Sequence, residues 1–396
     1  MMKKSIGSVV GLLFIAQGSL AEVQPQGIDM GPGKLIPTLN VSETYDDNIF
    51  NQPNNEESSS ILSLKPQLQF LAEDNANTYA LTYVGDYGIY HSSDDDNYDE
   101  HGLSLDALLD MSARTNVTLA GSYETKHDAR GTGSSEGGAA QSRTSPDEYD
   151  LVGASIIWDF GADDARFGAQ LSASYSDIEY TNNRLETQFR DRDENKFSGK
   201  LFGRLQSKTR VFVQIESGDI EYNVLPITGG ALDSDLTVMS LGVEWEATGK
   251  TTGSIKIGRT DKEFDSASLI DADLNTWEAE IVWSPRSYSN VYLTSSSSPQ
   301  ETNGTGSFID SRTTEISWLH DWSGVLHSSF SVAAGNDEYE GDPRSDDRTN
   351  YSIGVNYDFD RWMNIGLAYS YQELDSNNAV FSYDKSSIAL SFDLSL

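Results

Sequence analysis

From residue 34 onward apolar and polar positions alternate with a period of two, many times over, with almost no 3.6-residue pattern. "LSLKPQLQF" sets Leu62, Leu64, Leu68 and Phe70 on one face and Ser63, Lys65, Gln67 and Gln69 on the other. "KFSGKLFGRL" sets Phe197, Leu201 and Leu205 against Ser198, Lys200 and Arg204, and "TWEAEIVW" sets Trp277, Ala279, Ile281 and Trp283 against Glu278 and Glu280. Each segment predicts a strand with one apolar face and one wet face. Two kinds of connection take turns between them. Tight ones are "EDNAN" near Asn75, "SART" at Arg114, "GADDA" near Asp163, "QSKT" near Lys208, "ATGK" near Gly249, "SPRS" near Arg286, "DWSG" near Ser323 and "FDRW" near Arg361. The others are long polar excursions, the longest from about Thr125 to Asp147.

This alternation predicts an all-β fold: a transmembrane antiparallel up-and-down outer-membrane β-barrel of about 18 strands, with long extracellular loops and short periplasmic turns. The last segment, "SSIALSFDLSL", alternates up to Leu396, as a strand that closes on the first must. Trp158, Trp245, Trp283 and Trp322 fall near tight turns, and Tyr45, Tyr90, Tyr123, Tyr175 and Tyr371 near long-loop ends. That placement suggests two interfacial belts, where an apolar ring and a polar tip are both satisfied. A soluble sandwich or propeller would alternate too. Its packed core would call for more Leu, Ile and Val than small outward residues such as Gly199, Gly203 and Ala279 allow, whereas lipid tolerates them.

Composition sharpens the picture. The hydrophobic fraction of 37% is thin for conventional cores in 396 residues. Cysteine is absent, which excludes disulfides, thiolate metal sites and a cysteine-borne lipid anchor. Lys3 and Lys4, the apolar run from Ile6 to Ile15, and Ser19-Leu20-Ala21 have the layout of a cleavable export signal. The run is too short for a spanning helix. The expected organisation is a signal peptide over 1–21, a short periplasmic segment over 22–33 and the barrel over 34–396, in the bacterial cell outer membrane. The formal charge of −35 grows by two negative units once both lysines leave, which excludes nucleic acid as a partner. Acidic runs such as "SSDDDNYDE" and "NDEYEGDPRSDD" read singly as solvated loops.

In a barrel this wide, function resides on inward positions. The candidate pore-lining residues are Lys65, Gln67, Gln170, Lys200, Phe202, Arg204, Arg210, Phe212, Gln214, Glu216, Glu244, Lys256, Glu278 and Glu280. Registering the strands by their outward pairs places Lys200 across from Glu216 and Arg204 across from Phe212, with Lys256 diagonal to Glu244 and level with Glu280. The resulting wall alternates in sign; its charges either meet a passing solute or simply pair across strands. No catalytic residues are expected. In His91-Ser92 and His327-Ser328 the neighbours point to opposite faces. No metal site or cofactor is expected, since "DADLN" (Asp271 to Asn275) lacks the glycine and terminal glutamate of a calcium loop.

One stretch resists this reading. In "YDDNIF", Tyr45 ends the first strand, Asp46, Asp47 and Asn48 stop it where water begins, and Ile49 and Phe50 then need cover. The loop is expected to fold over the mouth or into the barrel. At "YDDNIF", and along "GKLIPTLNVSETYDDNIF", "LSLKPQLQF", "TYALTYVGDYGIYHSSDDDNYDEHGLSLDA" and "RDRDENKFSGKLFGRL", the sequence resembles the β-barrel porins encoded with exopolysaccharide and capsule genes, the VpsM-like and EpsL-like outer-membrane proteins. The final Leu396 departs from the aromatic that ends many outer-membrane barrels. The resemblance implies a pore secreting a polysaccharide together with periplasmic export components, and no agreed catalytic residues. Outer-membrane lipid, lipopolysaccharide and the barrel-assembly machinery are further expected partners. A general or sugar-specific solute porin is the alternative, and a structural or adhesive barrel without transport the third reading.

Overall fold

The computed structural model describes residues 25–162, 165–225 and 230–396, and their side chains except those of 247 and 248. The export signal expected over 1–21, and Asp163 of one expected turn, lie outside the described residues.

Each alternating segment is a strand, and each strand is hydrogen-bonded to its sequence neighbours in antiparallel register. Eighteen strands form the wall, from Gly33–Asp46 through Tyr383–Ser395, and the last pairs with the first (Ile388 opposite Tyr45, Phe392 opposite Val41) to close the ring. Closure gives every strand of the wall a partner on both sides, the condition for crossing lipid on strands. A short extra strand, Ile28–Asp29, pairs with Lys34 and Leu35, and the Gln26 and Gly27 amides donate to the Leu396 carbonyl. Among the described residues, helix is confined to the single turn Arg184–Thr187 and a few 3₁₀ turns.

The side chains sort as the alternation requires. Leu68, Phe197, Leu201, Leu205, Trp277 and Trp283 are exposed on the outer face, while Ser63, Lys65, Lys200 and Glu278 lie on the opposite face. Four details differ from expectation. Tyr90 does not join the outer belt: it packs inside, against Ile49 and Phe50. Its neighbour Ile89 takes the outward position, so parity rather than nearness to a loop decides which ring meets lipid.

The register around Lys208 is two residues tighter than expected. Lys200 lies opposite Gln214, Phe202 opposite Phe212 and Arg204 opposite Arg210. Alternation fixes only the parity of a register; a two-residue turn with a bulge between Thr209 and Arg210 selects this one. Lys256 is diagonal to Glu244 as expected, but lies level with Glu278, not Glu280. "DADLN" is not a loop over its whole length, because Ala272–Arg286 is a strand.

Candidate functional site: the mouth and the inner wall

The site begins with the turn chemistry of "YDDNIF". Asp46 Oδ1 accepts the Asn48 amide at 2.9 Å, which turns the chain as the strand ends. Asn48 is fully buried: its Oδ1 accepts the Gln52 amide at 2.9 Å, and its Nδ2 donates to the carbonyls of Gln52 at 2.9 Å and Asp384 at 3.0 Å. Asp47 is tied to Ser386 through both backbone and side chain. The loop therefore clasps the first strand to the last. Ile49 and Phe50, 7% and 5% exposed, form a small apolar centre with Ala140, against which Ile61 and Tyr90 pack.

Ala140 belongs to the longest loop, 129–146, and its contacts show where that loop goes. Gly131 lies so close to Phe50 that an added Cβ would meet the Phe50 carbonyl oxygen at 2.1 Å; its φ of +88° also favours glycine. Gln52 Nε2 donates to the Gly137 carbonyl at 2.8 Å. The Arg130 guanidinium lies 4.2 Å from the Phe50 ring centroid and is paired with Asp96. Farther on, Glu136 pairs with Arg344 at 2.6 Å and accepts from Asn303 Nδ2 at 3.0 Å. Arg344, 4% exposed, also pairs with Asp346 at 2.6 Å and stacks 3.9 Å from the Phe381 ring centroid.

In ring order, 129–146 leaves the wall between Thr115–Asp128 and Asp147–Phe160, whereas Arg344 sits between Leu326–Tyr339 and Ser345–Asp360 on the far side. The loop thus spans the mouth from wall to wall, and Glu136 fastens its tip. Burial holds the Glu136 carboxyl above the ordinary carboxylate range, outweighing the opposing pull of Arg344. At the near wall, Arg190 pairs with Asp128 at 2.7 Å.

Below the mouth, the inward positions of Arg192–Gln206 carry Arg192, Lys196, Lys200 and Arg204, one cation every fourth residue, or about 13 Å apart along the strand. Glu194 lies between Arg192 at 2.9 Å and Lys196 at 3.0 Å, and Glu244 pairs with both Lys200, at 2.5 Å, and Arg210. Phe202 and Phe212 meet edge to face with centroids 6.0 Å apart; Lys200 Nζ is 3.8 Å from the Phe212 centroid, and Arg210 lies over Phe202. Such cation–ring contacts hold each cation beside a flat apolar surface.

The fourteen candidates are distributed around this wall. Lys200, Phe202, Arg210, Phe212 and Glu244 form one cluster. Arg204 donates to the carbonyls of Ala165 and Ser207 near the tight-turn rim. Gln214 donates to Ser198, Gln170 to Asp159, Lys65 pairs with Asp86, and Lys256 pairs with Glu278. Gln67 (opposite Thr38), Glu216 (opposite Ser198) and Glu280 (opposite Ser254) stand elsewhere on the same face. Sequence reasoning missed Arg130, Glu136, Arg344 and Asp346. Their runs read as solvated loops, yet Asp96 and Asp346 are buried. The available signals were Arg344 set among the carboxylates of "NDEYEGDPRSDD" and Arg130 two residues after Asp128.

Comparison with known proteins follows this geometry. The family described as "Putative beta-barrel porin 2" matches residues 21–395. Among curated proteins nothing matches the sequence. Similar solved structures include OpdO of Pseudomonas aeruginosa (13% identity, TM-score 0.52, covering 91% of this chain and 97% of that one). A BenF-like porin of Pseudomonas fluorescens has 11% identity and TM-score 0.51, covering 91% and 99%. OccK2 (OpdF) of Pseudomonas aeruginosa, solved in complex with glucuronate, has 10% identity and TM-score 0.50, covering 91% and 98%. At these identities the likeness is one of fold.

Proposed function

The chain belongs to the "Putative beta-barrel porin 2" family, a bacterial outer-membrane barrel, and from that premise we propose that it is a channel for small hydroxylated anions such as sugar acids, with no chemistry of its own. The observation that carries this reading is a mouth narrowed by 129–146 above a stretch of wall where Arg192, Lys196, Lys200, Arg204 and Arg210 outnumber Glu194, Glu216 and Glu244. The cations offer a carboxylate successive weak stations, and the Phe202–Phe212 pair offers a sugar ring a flat face. Weak, repeated contacts suit passage, because a solute held strongly at one point does not move on. The fourteen inward residues named above are the proposed lining.

Secretion of an exopolysaccharide, the role the resemblance implies, requires 129–146 to leave the mouth. One set of proteoliposomes tests both readings. Swelling rates are expected to be higher for a hexuronate than for the uncharged hexose, and Lys200→Glu with Arg210→Glu should abolish that preference. Equal rates in the unaltered protein would remove the anion reading, and release of an entrapped polysaccharide from it would favour secretion.

A further inference from the structure

Above its midpoint the wall between Ala272–Arg286 and Ser289–Glu301 is unzipped. Ala272–Arg286 keeps its ladder with Thr251–Phe264 up to Ala272, and Ser289–Glu301 keeps its ladder with Phe308–Asp321 up to Glu301. Between the two, pairing starts only at Trp277 opposite Ser297 and continues downward. Residues 272–276 and 298–301 therefore turn backbone donors and acceptors toward a seam with no ladder in it. Backbone groups left out of a ladder need water or another polar partner, so the seam is wet or occupied by something polar.

Two further observations concern the same place. First, the tip of the Ser289–Glu301 hairpin bypasses its neighbour and leans on the inner face of more distant strands. Glu301 accepts from Lys262 Nζ at 2.7 Å and Tyr222 Oη at 2.8 Å, and Phe308 packs on Phe264. Lys262 and Phe308 are both 0% exposed. The tip is thus held inward by a buried ion pair and a ring contact, behind the open seam. Second, an apolar groove of about 630 Å³ runs along the outer face up to the seam, lined by Val213, Ile215, Met239, Leu241, Ile257 and Trp277. At its upper end stand Asn275, Thr276 and Arg259, the last paired with Asp273. There the outer face passes from apolar to charged, the level of the lipid headgroups.

We infer that this seam is a side door between the lumen and the outer leaflet, used by a single-tailed amphiphile with an uncharged, hydroxylated head. The groove accepts the tail. Arg259 and Asp273 together offer the head both donors and acceptors, and the unpaired strand edges offer it more. The Ser289–Glu301 tip is the shutter, closed in this structure by the Lys262–Glu301 pair.

A test uses the full protein in lipid vesicles and an alkyl glucoside carrying a diazirine in its tail, with adducts mapped by mass spectrometry after irradiation. Adducts are expected on outward Ile257 and Trp277 and on inward Glu278 and Ser296, which face each other just below the seam, with Glu301→Ala raising the inward yield severalfold. In Thr276→Cys with Ser298→Cys, the next rung above Trp277–Ser297, oxidation should remove the inward adducts and leave the outward ones. Heat-modifiable gel migration checks that each variant has closed its barrel; if Glu301→Ala fails, the unaltered protein and the cysteine pair decide. Adducts confined to the outer face throughout, meaning lipid-like docking only, would overturn the proposal. So would inward adducts that survive oxidation, meaning entry through the mouth.

Discussion

Replacing Arg344 by alanine should unfasten the loop that spans the mouth while leaving the barrel closed. Arg344 is 4% exposed and meets two carboxylates, Glu136 and Asp346, each at 2.6 Å. Asp346 is itself fully buried, so the substitution strands a charge with little access to water. Breaking a buried pair by removing one partner costs about 3–5 kcal/mol. At about 1.4 kcal/mol per tenfold change in an equilibrium, that favours the detached tip by roughly 10²- to 10³-fold or more. Arg130 still holds the near part of the loop and Gln52 still bonds Gly137 beside the tip, so the change is one of tip position, not loss of the loop. Single-channel recording in planar bilayers should show a larger conductance and more open-state noise than the unaltered protein. Arg344→Lys should fall between the two, since lysine keeps the charge but not the forked geometry or the stacking on Phe381. If Arg344→Ala matches the unaltered protein in conductance and noise, Glu136–Arg344 does not fasten the loop.

The other predictions concern the same loop, its clasp and the two faces of the wall. Because burial raises the Glu136 pKa in the fastened loop, that state binds a proton more readily than the detached one; it gains as pH falls through the raised value and loses as pH rises through it. Conductance should therefore drop on acidification, and Glu136→Gln should flatten the profile; an unchanged profile in that variant would assign the effect elsewhere. Asn48→Ala removes three hydrogen bonds at a fully buried position and should lower barrel stability by about 1–3 kcal/mol, read as a downward shift in the temperature of heat modification. Leu201→Arg, on the lipid face, should destabilise by roughly 2–4 kcal/mol if near the midplane, while Gln214→Arg on the lumen face should be nearly neutral. Equal losses in urea titrations of the two would contradict the assignment of faces.

What the chain reveals unaided follows from the range of the interactions. Strand identity and facing are local: Phe197, Leu201 and Leu205 announce their side through spacing alone, and lipid asks only that they be apolar. Register is half local. Alternation allowed Lys200 to face either Glu216 or Gln214, and a bulge at Thr209 that leaves no mark in the hydrophobic pattern decided between them. The mouth is not local at all. Glu136 finds Arg344 208 positions away, and Gln52 finds Gly137 85 positions away. In the sequence, Gln52, Glu136 and Gly137 look like the solvated polar residues around them, and Arg344 shows only as a cation among carboxylates. "YDDNIF" was the exception, because Ile49 and Phe50 standing beyond a polar turn signalled that some cover existed without saying which segment supplied it.

The clasp at Asn48 has a consequence for how the molecule matures. Its partners come from both ends of the chain: Gln52 follows it at once, whereas Asp384, like the Ser386 that holds the adjoining Asp47, belongs to the strand made last. The turn cannot be finished until the cylinder has shut, and the segment 129–146, which rests on Phe50, cannot settle before the turn. Biogenesis thus runs from the rim wall to the keystone. A chain halted before its final strand is expected to leave Ile49 and Phe50 without this cover.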